Sequence, residues 1–189
     1  MPKSSSPSCR SFAAVARRAR AFLRDRKGGV AVEFSIVVVP FLLMLFAILE
    51  LAVYFMVATT VENATNNAAR MIRTGQMQQG TNTVQAFKDS VCANMTWLSS
   101  QCQANLSVDV RTLAQFNNPT VPDPVQNGTF NSTNLTFTPG NPKDIVMVRT
   151  FFKWRLLTNA MTNALKSIDD NGGTAVITST AIFRNEPYS

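Results

Sequence analysis

Gly28-Gly29-Val30-Ala31-Val32-Glu33-Phe34 opens directly into an apolar segment with no charged residue from position 34 to position 49, and this stretch decides the fold. If Glu50 is tolerated, the apolar run continues to Ala58. At about 1.5 Å of rise per residue, such a helix covers the roughly 30 Å hydrocarbon layer of a bilayer. A secretory signal peptide is the competing reading, but its apolar core is only about 7–15 residues long. Here the segment runs on through Val53-Tyr54-Phe55-Met56-Val57, which favours an anchor that stays in the mature protein. The segment before it holds Lys3, Arg10, Arg17, Arg18, Arg20, Arg24, Arg26 and Lys27 against the single acid Asp25. That excess equals the whole net charge of the chain, +7, so the remainder is neutral. Cationic flanks are retained on the cytoplasmic side, and the expected orientation is N-in, C-out. A basic arm is also a mark of nucleic-acid binding. Attraction to anionic headgroups explains the same charges beside a membrane span, and no nucleic acid is expected.

Two acids in or beside the span need an account, because a carboxylate at membrane depth is costly and usually partnered. Glu33 lies four residues beyond a new amino terminus at Gly29, should the chain be cut after Gly28. A free α-amino group is mostly cationic near neutral pH. Offered by a neighbouring subunit, it would pair with Glu33 and set the axial register of assembly. The plainer reading leaves Glu33 solvated among headgroups. Glu50 is roughly 25 Å further along a helix and on a different face, so the two acids do not pair within one chain. Glu50 either snorkels toward the outer interface near Tyr54 or makes an intramembrane polar contact with a partner helix. Pro40 removes one backbone hydrogen bond and is expected to bend the helix.

Gly28, four intervening residues, then Glu33 and Phe34 resemble the processing motif of the Flp-type branch of type IV pilins, in which a prepilin peptidase cuts after the glycine. The longer stretch from Gly29 to Phe34, then Val39-Pro40-Phe41-Leu42-Leu43 and Ile48-Leu49-Glu50-Leu51, is similar to the TadE-like family of tight-adherence pilus proteins. A second patch, Phe183-Arg184-Asn185-Glu186-Pro187-Tyr188, resembles the aromatic-Arg-Asn-Glu-Pro-aromatic ending of many family members. Gly29 is a second glycine beside the first, so two cleavage positions are open. The family spacing counted back from Glu33 favours Gly28. The resemblance implies a minor pilin or pseudopilin of the bacterial inner membrane, single-pass, with a periplasmic C-terminal domain that stays in the membrane or enters the pilus. The partners it implies are the prepilin peptidase, the major Flp-type pilin, a sister pseudopilin, and the inner-membrane assembly platform with its ATPase.

Beyond the span, Val57, Val61, Ala64, Ala68 and Ile72 follow the three- and four-residue steps of an amphipathic helix, and Gly75 is a stop signal. This stripe suits either a stalk that packs on neighbouring subunits or a helix that docks on its own domain. Period and composition predict a further helix over 84–98, with Val84, Phe87, Val91, Met95 and Leu98 on one face. They also predict strands over 106–113, 145–152 and 174–183, and a short helix within 156–168. The fold class is α+β: a long N-terminal transmembrane helix with an amphipathic extension, then a small exported domain with an antiparallel sheet and helices. The expected divisions are a basic cytoplasmic leader over 1–28, a transmembrane helix over 29–58, a helical stalk over 59–75 and a head over 76–189. Residues 114–143, rich in Asn, Pro and Thr, are too long for an ordinary connection and read as a contact surface or a disordered insertion.

Cys9 sits in the leader, whereas Cys92 and Cys102 form a pair on the exported side, where an oxidising compartment favours a disulfide. Two thiolates in a chain with no histidine fall short of a zinc set, so no metal or other cofactor is expected. Catalysis finds little support. There is no histidine for general-base work and no phosphate-binding glycine loop, and Asp169-Asp170 adjoin an Asn-Gly-Gly turn where paired acids are usually solvated. The expected function is structural, in pilus assembly. The alternative is an uncleaved single-pass envelope protein whose exported domain binds a partner, and a membrane-tethered enzyme using Asp169 and Asp170 is a third reading.

Overall fold

The computed structural model describes residues 29–80, 83–117, 121–168 and 173–188. The leader with Gly28, the Asp169-Asp170 pair and the Asn171-Gly172 turn lie outside the described residues. The chain divides into two units, Met1–Phe46 and Ala47–Ser189. Helix α1 spans Gly29–Arg73 with Pro40 inside it, so its first 18 described residues belong to the first unit. In that unit the apolar side chains are solvent-facing, Phe34 among them at 67% exposure.

The second unit is an α+β domain with the expected antiparallel sheet. After α1 come a single turn α2 (Gln76–Gln79), α3 (Val84–Asn94), a 3-10 turn (Thr96–Leu98) and α4 (Ser99–Asn105). Strands β1 (Leu106–Leu113), β4 (Ile145–Arg155) and β5 (Thr174–Arg184) form one sheet in the order β1-β4-β5. A small hairpin of β2 (Val125–Gln126) and β3 (Thr129–Phe130) precedes β4, and α5 (Asn159–Leu165) precedes β5. Both sheet pairings are antiparallel, with Val108 opposite Thr150 and Phe152 opposite Ile177.

The amphipathic stripe of α1 docks on its own domain. Val57, Val61, Ala64, Ala68 and Ile72 are all fully buried, in one cluster with Phe87, Val91, Val108, Val110, Val146, Val148 and Phe152. Alternate residues of β1 and β4 supply the sheet side of this core, as a period of two requires. One buried polar bond crosses it: Thr65 Oγ1 donates to Val61 O at 2.7 Å, so Thr150 Oγ1, 2.6 Å away, is the donor to Thr65.

The helix expected over 84–98 is interrupted. It stops at Asn94, and Thr96 takes φ +40°, a left-handed value that ends an α-helix and starts the 3-10 turn. Phe87, Val91, Met95 and Leu98 remain buried, whereas Val84 is exposed. After the turn α4, unforeseen in the sequence, returns Cys102 to Cys92, and the two form a disulfide with a Cα–Cα distance of 5.5 Å.

The described residues of 114–143 cover the second face of the sheet. Ile145, Met147 and Phe151 lie on the side of β4 away from α1 and are nonetheless buried. Phe130 of the hairpin stacks edge-on against Phe151, at 5.9 Å between ring centroids. Residues 136–138 run beside the outer edge of β1, with Val110 N donating to Thr136 O and Thr138 N donating to Val110 O, both at 2.8 Å. The segment therefore closes an edge strand and explains why β4 reads as a near-continuous apolar run.

Candidate functional site

Glu33 and Phe34 are both exposed on α1 in the first unit, and the Glu33 carboxylate makes no hydrogen bond or ion pair among the described residues. A Cβ added at Gly29 would meet nothing within 4 Å, so packing does not demand a glycine there. The cassette thus presents one carboxylate and a set of apolar side chains without internal partners.

Glu50 is different. It is buried, and its hydrogen-bond partners lie within its own chain. Its carboxylate accepts from the backbone N–H of Leu157 and of Thr158, the latter at 3.1 and 3.2 Å, and from the Thr158 hydroxyl. Thr158 caps α5 at the same time, because its Oγ1 accepts from Met161 N at 3.3 Å. The acid therefore closes a buried network within its own chain and ties α1 to the segment that follows β4. Sequence periodicity carries no trace of this contact, since the partners lie over a hundred residues away and two of the three donors are backbone groups.

The C-terminal patch forms a clasp. Asn185 is 2% exposed, and its Nδ2 donates to Pro139 O at 2.9 Å and to Asn141 O at 3.0 Å. Its backbone N–H donates to Asp144 O, and its carbonyl accepts from Lys143 N. The next residue reaches α1: Glu186 N donates to Arg73 O at 2.8 Å, satisfying a terminal carbonyl of the helix, and its side chain pairs with Arg73 at 3.0 Å. The ring of Tyr188 lies over Gly75, where φ is +81° and an added Cβ would come within 2.3 Å of the ring. Its hydroxyl donates to Gly140 O at 3.3 Å. Burial, and then the Asp144 carboxylate, raise the Tyr188 phenol above its ordinary value, which keeps it protonated as a donor. Arg184 and Pro187 are exposed and contribute little to this network.

A second buried charge cluster ties the 114–143 segment to the sheet. Asp109, on β1 opposite Arg149, accepts from Arg149 Nη2 at 2.7 Å, from Arg111 Nε at 2.9 Å and from Thr136 N at 2.8 Å. Burial alone would raise its pKa, but the Thr136 N–H and the two guanidinium groups outweigh that and hold it below the usual carboxylate range. Arg149 also donates to Pro122 O at 3.0 Å. These ligands belong to the fold and leave no open position for a substrate.

A polar hollow of about 270 Å³ is lined by Asn67, Arg70, Met71, Gln76, Ser90 and Asn94, with no carboxylate or histidine beside its serine. Among the described residues no three His, Cys, Asp or Glu side chains lie together in a way that could hold a metal ion.

Residues 28–70 match the model of a protein family described as TadE-like protein, the family whose motifs the N-terminal cassette resembles. The matched stretch starts at Gly28, runs through Glu33, Phe34 and Glu50, and ends within the buried half of α1. No curated protein and no solved structure matches the chain. The family match fits a structural protein associated with a tight-adherence pilus, and the one long apolar helix among the described residues fits a membrane crossing.

Proposed function

We propose that this chain is a minor pilin or pseudopilin of a tight-adherence, Flp-type pilus. A prepilin peptidase cuts it after Gly28, and it acts by assembling rather than by chemistry. The observation that carries this reading is the coincidence of the TadE-like match with a helix start that has no partners of its own. Residues 28–34 combine a glycine that packing does not require, an unpaired carboxylate and exposed apolar side chains. Each feature is idle in an isolated subunit and useful in a packed one.

The chain inserts with its basic leader in the cytoplasm, and cleavage leaves an α-amino group at Gly29. In a low-dielectric bundle of helices, Glu33 of one subunit pairs with that ammonium on a neighbour. Coulomb attraction there is several-fold stronger than in water, so the pair fixes the axial register. Gly28 and Gly29 serve the peptidase, Glu33 and Phe34 serve assembly, and Glu50 with the Cys92–Cys102 disulfide and the C-terminal clasp hold the head together. The peptidase, a major pilin, a sister pseudopilin and the ATPase-driven inner-membrane platform are the partners this mechanism requires.

Mass spectrometry of the protein extracted from membranes of cells that hold the matching peptidase tests the reading. A mature species beginning at Gly29 is expected. A chain that retains residue 1 in those cells overturns it in favour of an uncleaved, single-pass envelope protein with a partner-binding domain.

A further inference from the structure

Resting on the reading of α1 as a membrane anchor, we propose that residues 155–158 form a lipid-contacting element. Leu157 enters the interfacial layer of the bilayer that α1 crosses, on the side where the second unit lies. Leu157 is 81% exposed, while Leu156 beside it is buried. A lone exposed leucine is ordinary on a protein surface and means nothing by itself. What distinguishes this one is where its backbone is held. Its N–H is bound by the carboxylate of Glu50, and Glu50 is the first charged residue after the uncharged run of residues 34–49. Leu157 is therefore held at the level of the outer end of the apolar stretch of α1.

The position of that level follows from α1 itself. Phe55 and Met56 lie beyond Glu50 and are 58% and 51% exposed, so the uncovered side of the helix stays apolar for more than another turn. Past the partly exposed Tyr54, the next hydroxyls are those of Thr59 and Thr60, and Glu62 is exposed. An unsatisfied carboxylate at Glu50 would oppose such immersion. Here the acid is buried and its oxygens are met by Leu157 N, Thr158 N and the Thr158 hydroxyl, so the carboxylate and these three donors pair within the chain even in apolar surroundings. The same bonds hold Leu157 in the layer. Arg155, exposed two residues earlier, supplies a cation for lipid phosphates, and Lys153 is partly exposed on the same strand.

Fluorescence quenching in vesicles of phosphatidylethanolamine and phosphatidylglycerol tests this on the full chain. Cys9 is replaced by Ser, the native disulfide is kept, and a single bimane-labelled cysteine is placed in turn at Leu43, Leu157 and Ser132. Lipids carrying a nitroxide either high on the acyl chain or near its end are the quenchers. The label at 43 is expected to lose about half of its emission or more to the deep nitroxide and the label at 157 to the shallow one, as an interfacial side chain roughly 5–10 Å deep would, and the label at 132 to keep it with both. Quenching at 43 with none at 157 overturns the inference and leaves the anchor intact. No quenching at 43 overturns the anchor itself, and the inference with it. Because the Leu157 side chain is solvent-facing, its replacement leaves the core packing in place; a quenched label at Arg155→Cys is the second expected result, and its absence together with that at 157 excludes lipid contact.

Discussion

At the scale of single residues, burial ranks the C-terminal motif. Glu186 and Arg73 form an ion pair whose side chains are each about half exposed, and such pairs are worth at most about 1 kcal/mol. Asn185 is buried with two amide donations, so truncating it removes the donor to Asn141 O and one of the two donors to Pro139 O, which Gln78 Nε2 also reaches, and costs about 1–3 kcal/mol. Urea titration of the two variants is expected to show Asn185→Ala clearly destabilised and Glu186→Ala close to the parent; the reverse order contradicts the clasp. Asp109 makes a pH prediction with a definite sign. Its folded-state pKa is depressed, so its contribution is present above the unfolded value of about 3.9 and is lost as pH falls through the folded value. Asp109→Asn, which leaves Arg149 and Arg111 without their charge partner, is expected to cost about 3–5 kcal/mol at neutral pH. It should also flatten the loss of stability below pH 4, and an acid profile identical to the parent's would show that the carboxylate carries none of it.

At the scale of elements, Thr158 joins two functions that a conservative replacement separates from packing. Thr158→Val keeps the shape but removes both the cap of α5 and the hydroxyl donated to Glu50, a loss of about 1 kcal/mol or more that corresponds to roughly fivefold in local opening. Amide exchange is expected to quicken over the α5 segment while β1 and β4 stay protected. Unchanged exchange there means that the Glu50 network does not hold the segment. What the sequence revealed at this scale was local. Strand β1 was legible to the residue because Leu106, Val108 and Val110 alternate with Ser107, Asp109 and Arg111, and the face of α1 was legible because its five apolar positions keep helical spacing. The break at Thr96 and the short α4 were not, since a left-handed threonine leaves no periodic mark. Residues 114–143 were open between a surface excursion and disorder because their anchors, Phe130 on Phe151 and Thr136 on Asp109, are long-range pairs within a polar composition. The Glu50 contacts are illegible for the same reason: a carboxylate that binds backbone N–H groups has no partner residue to read.

At the scale of the whole molecule, the two units divide the labour that the proposed function needs. The second unit is tied together internally: the α1 stripe, the disulfide, the Asp109 cluster and the C-terminal clasp all have partners within it, although Gln78 Oε1 and Asn185 Oδ1 are buried without one. The cassette of the first unit satisfies almost nothing, and Glu33 is its one charge among the described residues. A stable head and an unsatisfied helix start are what a subunit that assembles through its anchor should possess. The most direct measurement replaces Glu33 with Gln in cells carrying the rest of the pilus system, and counts filaments and co-purified pilus components beside a check for the Gly29 terminus. Processing is expected to continue, while filaments and co-purification fall about tenfold or more, the effect of roughly 1.4 kcal/mol in an association constant. Processed Glu33→Gln protein that assembles and co-purifies at the parent's level would contradict the account.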